Sequence, residues 1–294
     1  MVWAYNPIKL SPNIKDVQLK TIFPAIACAL ILGSCAIAPL LSSHTAPLPA
    51  VRFLLTFDDG PSPAMEDNPT AKIADTLATN AVQAGIKAVF FVQTRWPGAG
   101  GSPVGQILLH RLVAEGHVLG LHSGTARGHI DHTLMSETEL ATSLADGSGD
   151  IKAIQGKAPD LVRPPNWQFN DITLAAYKRA SLGMLLTDTF DRDGGPEIFQ
   201  VRPNTPTRIL RDLVRFRERL EAKEISPVNG VVPLVMTFHD PNGFTAEHLT
   251  EYLTILPQVA REAGLKIAKR PFYTQRAELW RAARTRVGTT FGPG

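Results

Sequence analysis

From Val51 onward the chain alternates short apolar runs with amphipathic stretches, and this alternation constrains its fold more than any other feature. Val51–Phe57 is an apolar run that stops at a turn signal, as a buried strand does. Ile73, Leu77, Ala81 and Ala84 then recur at helical spacing and are closed by Gly85. Ala88–Val92 predicts a second strand. Ile107, Leu108, Leu112 and Val113 predict a helix ending at Glu115-Gly116, and Val118–Leu121 a third strand. Ser136 with Glu139 predicts a capping box at the next helix start. Apolar runs at Leu161-Val162, Met184–Leu186 and Val231–Phe238 continue the pattern, with helices expected near 171–180, 206–223 and 246–263. Repeated βα units imply an α/β fold, a parallel sheet or barrel covered by helices. No internal repeat is present. The glycine-rich stretch Pro97–Gly105 lacks the lysine of a phosphate loop and reads as a flexible connection.

In such folds functional residues gather just past the C-terminal ends of the strands. Asp58-Asp59-Gly60 follows the first run, and His122-Ser123 follows the third, with His129 and His132 close behind. Arg163 comes after the next run, then Asp188 and Asp191, and His239-Asp240 closes the last. Taken singly, Asp-Asp-Gly is most often a turn, and a lone histidine a satisfied or solvated side chain. Five strand ends bearing such groups point instead to one site. A carboxylate with two histidines is a usual ligand set for a catalytic divalent metal that keeps a position open for water.

The N-terminus is a separate module. Lys9, Lys15 and Lys20 precede a 12-residue apolar stretch, Thr21–Leu32, followed by small residues. That is the order of a secretory signal, and it is short for a membrane span. Its end, Leu32-Gly33-Ser34-Cys35, resembles the lipobox of bacterial lipoproteins, in which the cysteine is lipidated and becomes the new N-terminus. Residues 1–35 are therefore expected to be a lipoprotein signal peptide and 36–50 a flexible tether, with the membrane contacted through a lipid on Cys35. A cleaved signal with an incidental cysteine, or an uncleaved anchor, is the plainer reading. Cys28 lies inside the apolar stretch, so the mature chain would hold one cysteine and no internal disulfide. The net charge of +3 falls to +1 once Lys9, Lys15, Lys20 and Asp16 are removed, leaving 27 basic against 26 acidic residues. That balance gives no case for a nucleic-acid partner.

Thr56-Phe57-Asp58-Asp59-Gly60-Pro61, Phe90-Phe91-Val92, Gly116-His117 leading to His122-Ser123, Arg163-Pro164-Pro165 and Phe238-His239-Asp240 occur in the order of a known family's motifs. From Val51 to Lys266 the chain resembles the polysaccharide deacetylase (NodB-homology) family. The resemblance implies a distorted (β/α) barrel with about seven strands, set here as a catalytic domain over 51–275 before a C-terminal helix and tail at 276–294. It implies a metal-dependent hydrolase, with zinc or cobalt, that removes acetyl groups from N-acetylated, or in some members O-acetylated, sugars of a cell-wall or extracellular polysaccharide at the cell envelope. It assigns Asp58 as general base, Asp59 and His122 as metal ligands, and Arg163 as the residue orienting the base. Asp191 would tune His239, the general acid, and a backbone N–H near Asn166 would hold the oxyanion. A glycan-binding lipoprotein without activity, or a metal-dependent esterase or amidase, are the alternatives.

The sequence departs from the family in ways that bear on the pocket. The family places its second metal histidine four residues after the first, where this chain has Ala126. In the family the second histidine stands seven residues before the serine that starts the next helix. That register, counted back from Ser136, implies His129 as the third ligand, with His132 the runner-up and a two-residue set completed by water the plainer alternative. On one regular helix His122 and His129 would be about 10 Å apart along the axis. The segment must therefore loop, and Gly124 and Gly128 permit it. Asn166-Trp167, Arg192 and Thr237 replace the family's aromatic-glycine pair, tryptophan and leucine.

Overall fold

The computed structural model describes residues 47–190 and 206–290. The expected signal segment, Cys35, the expected tether up to residue 46, and both Asp191 and Arg192 lie outside the described residues. Among the described residues there are eight strands: β1 (Ala50–Asp58), β2 (Val89–Gln93), β3 (Val118–Ser123), β4 (Leu161–Val162), β5 (Gly183–Met184), β6 (Thr189–Phe190), β7 (Val231–His239) and β8 (Ile267–Phe272). Seven follow the order β5-β4-β3-β2-β1-β7-β6, all paired in parallel. β7 lines one edge of β1 along its whole length, from Ala50↔Val231 to Asp58↔His239. The other edge is shared. β8 takes its first half through Val51↔Ile267, and β2 its second half through Thr56↔Val89. β8 escaped the sequence reading because Lys269 and Arg270 interrupt its apolar run, and β6 because it is two residues long.

The helices are α1 (Pro69–Ala78), α2 (Pro103–Ala114), α3 (Glu137–Gln155), α4 (Asp171–Arg179), α5 (Pro206–Glu221), α6 (Gly243–Glu262) and α7 (Arg276–Thr285). Among the described residues no helix is long and apolar enough to cross a membrane. The capping box forms as expected: Ser136 Oγ accepts from the Glu139 N–H, and the Glu139 carboxylate accepts from the Ser136 N–H. α1 stops short of the expected Ala81 and Ala84, because Asn80 Oδ1 captures the N–H groups of Val82 and Gln83 and turns the chain. Pro97–Ser102 is a packed turn and Pro103–Gly105 open α2, so the stretch is not a flexible connection. A Cβ on Gly101 would sit 2.2 Å from the Arg95 carbonyl oxygen, so glycine there serves close approach.

Two apolar clusters show how the sheet curls. The larger lies between the sheet and the surrounding helices. The second joins Leu54, Val89, Phe91, Val118, Leu161 and Val235 from five strands, so their opposite faces converge on one interior. This is the distorted barrel. α7 closes it, inserting Leu279, Ala282 and Ala283 among those side chains. Full burial of Leu279 alone is worth roughly 1.5–3 kcal/mol. Just beyond α7, buried Arg286 donates to Pro233 O at 2.6 Å and to Asp188 Oδ1 at 2.7 Å, while Asp188 Oδ2 accepts the Val235 N–H. Val235 precedes His239 by four residues of β7, about 13 Å at 3.3 Å per residue. Asp188 therefore belongs to the barrel floor, not to the rim where the sequence placed it.

Candidate metal centre

Asp58 is the last residue of β1, and the chain breaks from strand geometry immediately after it. Asp59 has φ +73°, the left-handed region, which costs a non-glycine residue energy unless its surroundings enforce it. Three contacts do so. Gln93 Nε2 donates to Asp59 O at 2.9 Å, Gln93 N–H to Gly60 O, and Gly60 N–H to Asp240 Oδ1 at 3.1 Å. Consecutive strand residues face opposite ways; this kink brings Asp59 to the same rim as Asp58. Asp240 also accepts from Thr70 Oγ1 at 2.6 Å, and burial pushes its carboxyl up to about 7. Neither Gln93 nor Asp240 carried a role in the sequence reading. The available signal was a polar residue closing each apolar run.

Asp59 Oδ1 lies 3.0 Å from His122 Nε2 and 3.1 Å from His129 Nε2, and the two nitrogens are 3.1 Å apart. These three groups form a set able to hold a metal ion. His122 Nδ1 is 2.8 Å from Arg163 O, which can only accept, so Nδ1 carries a proton and Nε2 is the nitrogen turned to the cation site. Nε2 lies 3.0 Å from a carboxylate oxygen that is buried and receives no well-formed hydrogen bond. One carboxylate oxygen and two imidazole nitrogens suit zinc or cobalt. Burial alone would raise Asp59, yet His122 and His129, with His239 beyond, hold it well below the usual carboxylate range. His129 is raised in return, its burial outweighed by Asp59.

The runner-up is elsewhere. His132 is fully buried, shares a 2.7 Å hydrogen bond with the Tyr177 hydroxyl through Nδ1, and is driven by burial down to about 3. Gly128, at φ +81°, makes the expected turn before His129. Gly124 serves differently: a Cβ there would lie 2.0 Å from the Ser143 carbonyl oxygen on α3.

Arg163 follows β4 and sends a wholly buried guanidinium across the barrel. It donates to Asp58 Oδ1 at 2.8 Å, to Thr56 and Thr237 hydroxyls at 2.7 and 3.1 Å, and to the carbonyls of Leu185 and Leu186. Thr237 thus completes the shell of Arg163, which accounts for a hydroxyl where an apolar residue was expected. His239 ends β7 beside Asp58, with Nε2 4.0 Å from Asp59 Oδ2. Asp191, its expected partner, lies outside the described residues. Asn166 and Trp167 adopt left-handed conformations at φ 55° and 61°, and the Trp167 ring lies 5.0 Å from the Arg163 guanidinium.

Asp58, Asp59, His122, His129 and Arg163 all fall within one matching segment. Residues 46–185 match the polysaccharide deacetylase family. His239 lies beyond that segment. A chitin deacetylase from Pestalotiopsis sp is 30% identical over 128 residues, covering 42% of this chain and 37% of that protein. The chain spans about two fifths of the length of the curated relatives it matches. Among solved structures, the chitin deacetylase of Colletotrichum lindemuthianum superposes with a TM-score of 0.52 at 20% identity, covering 76% of this chain and 87% of that one. A family 4 acetyl xylan esterase from Clostridium thermocellum, in complex with cobalt, gives 0.50 at 21% identity over 78% and 90%. These likenesses establish the barrel as the fold of polysaccharide deacetylases.

Proposed function

We propose that this chain is a metal-dependent polysaccharide deacetylase that hydrolyses the acetyl groups of N-acetylated sugars in a cell-wall or extracellular polymer. The observation that carries the reading is the convergence of Asp59, His122 and His129 beside an aspartate clamped by a buried arginine. Asp59, His122 and His129 would hold a divalent cation, zinc or cobalt, which supplies Lewis acidity and lowers the pKa of water toward about 7. Arg163 engages Asp58 through Oδ1, so Oδ2, which has no protein partner among the described residues, is placed to take the proton of the attacking water. His239, beside Asp58 at the end of β7, gives a proton to the departing amine, which leaves poorly until protonated. The signal and lipobox pattern at Cys35 support a lipid anchor that holds the barrel at the cell envelope.

The test is hydrolysis of a panel of acetylated glycans by the zinc-loaded protein. Asp58→Asn and His239→Ala are each expected to lower turnover by about 10²–10⁴ with zinc retained. Full turnover after complete removal of metal overturns the mechanism, and binding of a glycan without hydrolysis reduces the chain to a glycan-binding protein.

A further inference from the structure

The two histidines at the cation site are held by different means. His122 is oriented by a hydrogen bond from Nδ1 to the Arg163 carbonyl. His129 has no such bond on its Nδ1 among the described contacts, and it stands at the end of a five-residue bow, Gly124–Gly128. Outer contacts that fix a ligand imidazole are ordinarily worth ~10–100-fold in metal affinity, so something else must aim His129. The bow is tied at its start, where Gly124 N–H donates to Ser143 Oγ at 3.1 Å. At its end, Ser123 Oγ donates to Gly128 O at 3.1 Å. Gly128 O also accepts from the Ile130 N–H at 2.9 Å, and the side chain packed against Gly128 itself is the indole of Trp96. A Cβ on Gly128 would lie 2.9 Å from Trp96 Cδ2, so the ring fills the space directly beside the residue that precedes His129.

Trp96 is itself fixed. Its carbonyl accepts from the N–H groups of Ala99 and Gly101, both at 2.9 Å, and a Cβ on Gly98 would come within 2.5 Å of the ring. Trp96 is 37% exposed, and among the described residues no polar contact of the ring accounts for its placement. We propose that Trp96 is a positioning residue for the cation site: its ring packs against Gly128 and so holds His129 at Asp59 and His122. This rests on the metal-site reading above and adds to it a residue that no ligand motif contains.

The experiment is a zinc titration of the metal-stripped full-length protein against a chromogenic chelator, together with the cobalt absorption spectrum. Wild type is expected to bind one zinc. Trp96→Ala is expected to bind it about tenfold or more weakly with an altered cobalt spectrum, and Trp96→Phe to recover most of the loss. Gly128→Ala should weaken binding too. Because both changes break one contact, the double variant should be no weaker than the worse single one. Trp280→Ala, at the far end of the barrel, should bind as wild type does. Wild-type zinc affinity in Trp96→Ala overturns the inference; if that variant does not fold, wild-type affinity in Gly128→Ala overturns it. Absence of zinc binding in the wild type overturns the underlying site reading instead.

Discussion

Arg163 reaches Asp58 Oδ1 at 2.8 Å from inside the barrel, where the arginine side chain is 0% and the aspartate side chain 3% exposed. Removing one partner of such a pair strands the other charge, a cost of about 3–5 kcal/mol. Arg163→Met is expected to lose stability on that scale in urea unfolding, and adding Asp58→Asn should return part of it. A double variant no more stable than Arg163→Met would show that the arginine serves the barrel through its other acceptors alone.

The division between His129 and His132 is measurable by metal analysis. Loss of an outer contact alone costs about 10–100-fold in affinity, so His129→Ala should weaken zinc binding at least as much. His132→Gln, altered at a residue bonded to Tyr177, should keep stoichiometric zinc after dialysis. The opposite ranking would move the site.

Acid should destabilise the protein in a defined window. His117 Nδ1 accepts the Ala88 N–H at 3.1 Å, and burial, aided by Lys87 and Arg111, drives the imidazole down to about 3. Its unfolded value is about 6.5. The folded value is the lower one, so its contribution is complete above pH 6.5 and is lost as pH falls toward 3. The limiting slope is ~1.4 kcal/mol per pH unit. His117→Asn, which keeps an acceptor but cannot titrate there, should flatten the pH dependence of urea unfolding by one proton. An unchanged slope would mean that His117 is not the titrating group.

If Cys35 carries the lipid, Cys35→Ser should move the protein from the membrane to the soluble fraction of cells that express it. Unchanged fractionation would favour an uncleaved anchor.

Much of the site's placement was legible because strand ends are punctuated by chemistry. Asp58 and His239 each terminate a strand and His122 stands one residue before the end of another. The family's seven-residue spacing to the Ser136 cap pointed to His129 rather than His132, and the structure places His129 beside Asp59. What could not be read was set by contacts distant in sequence. Asp188 looked like a rim acid until Arg286, 98 residues away, took it to the floor. Thr237 looked like a pocket-wall change, yet its hydroxyl answers a guanidinium 74 residues away. Trp96 gave no signal at all, because its partner is a glycine without a side chain.

The central strand also dictates when the protein can become itself. β1 emerges first, yet the partner along its whole length, β7, follows 181 residues later, and the helix that caps the interior comes later still. Pairing over such separations is slow, because chain closure precedes any reward from contact. Until β7 arrives, β1 presents an open apolar edge. Gly60, just past Asp59, is held by Asp240 at the end of β7, so the kink that aims Asp59 is complete only once β7 has paired.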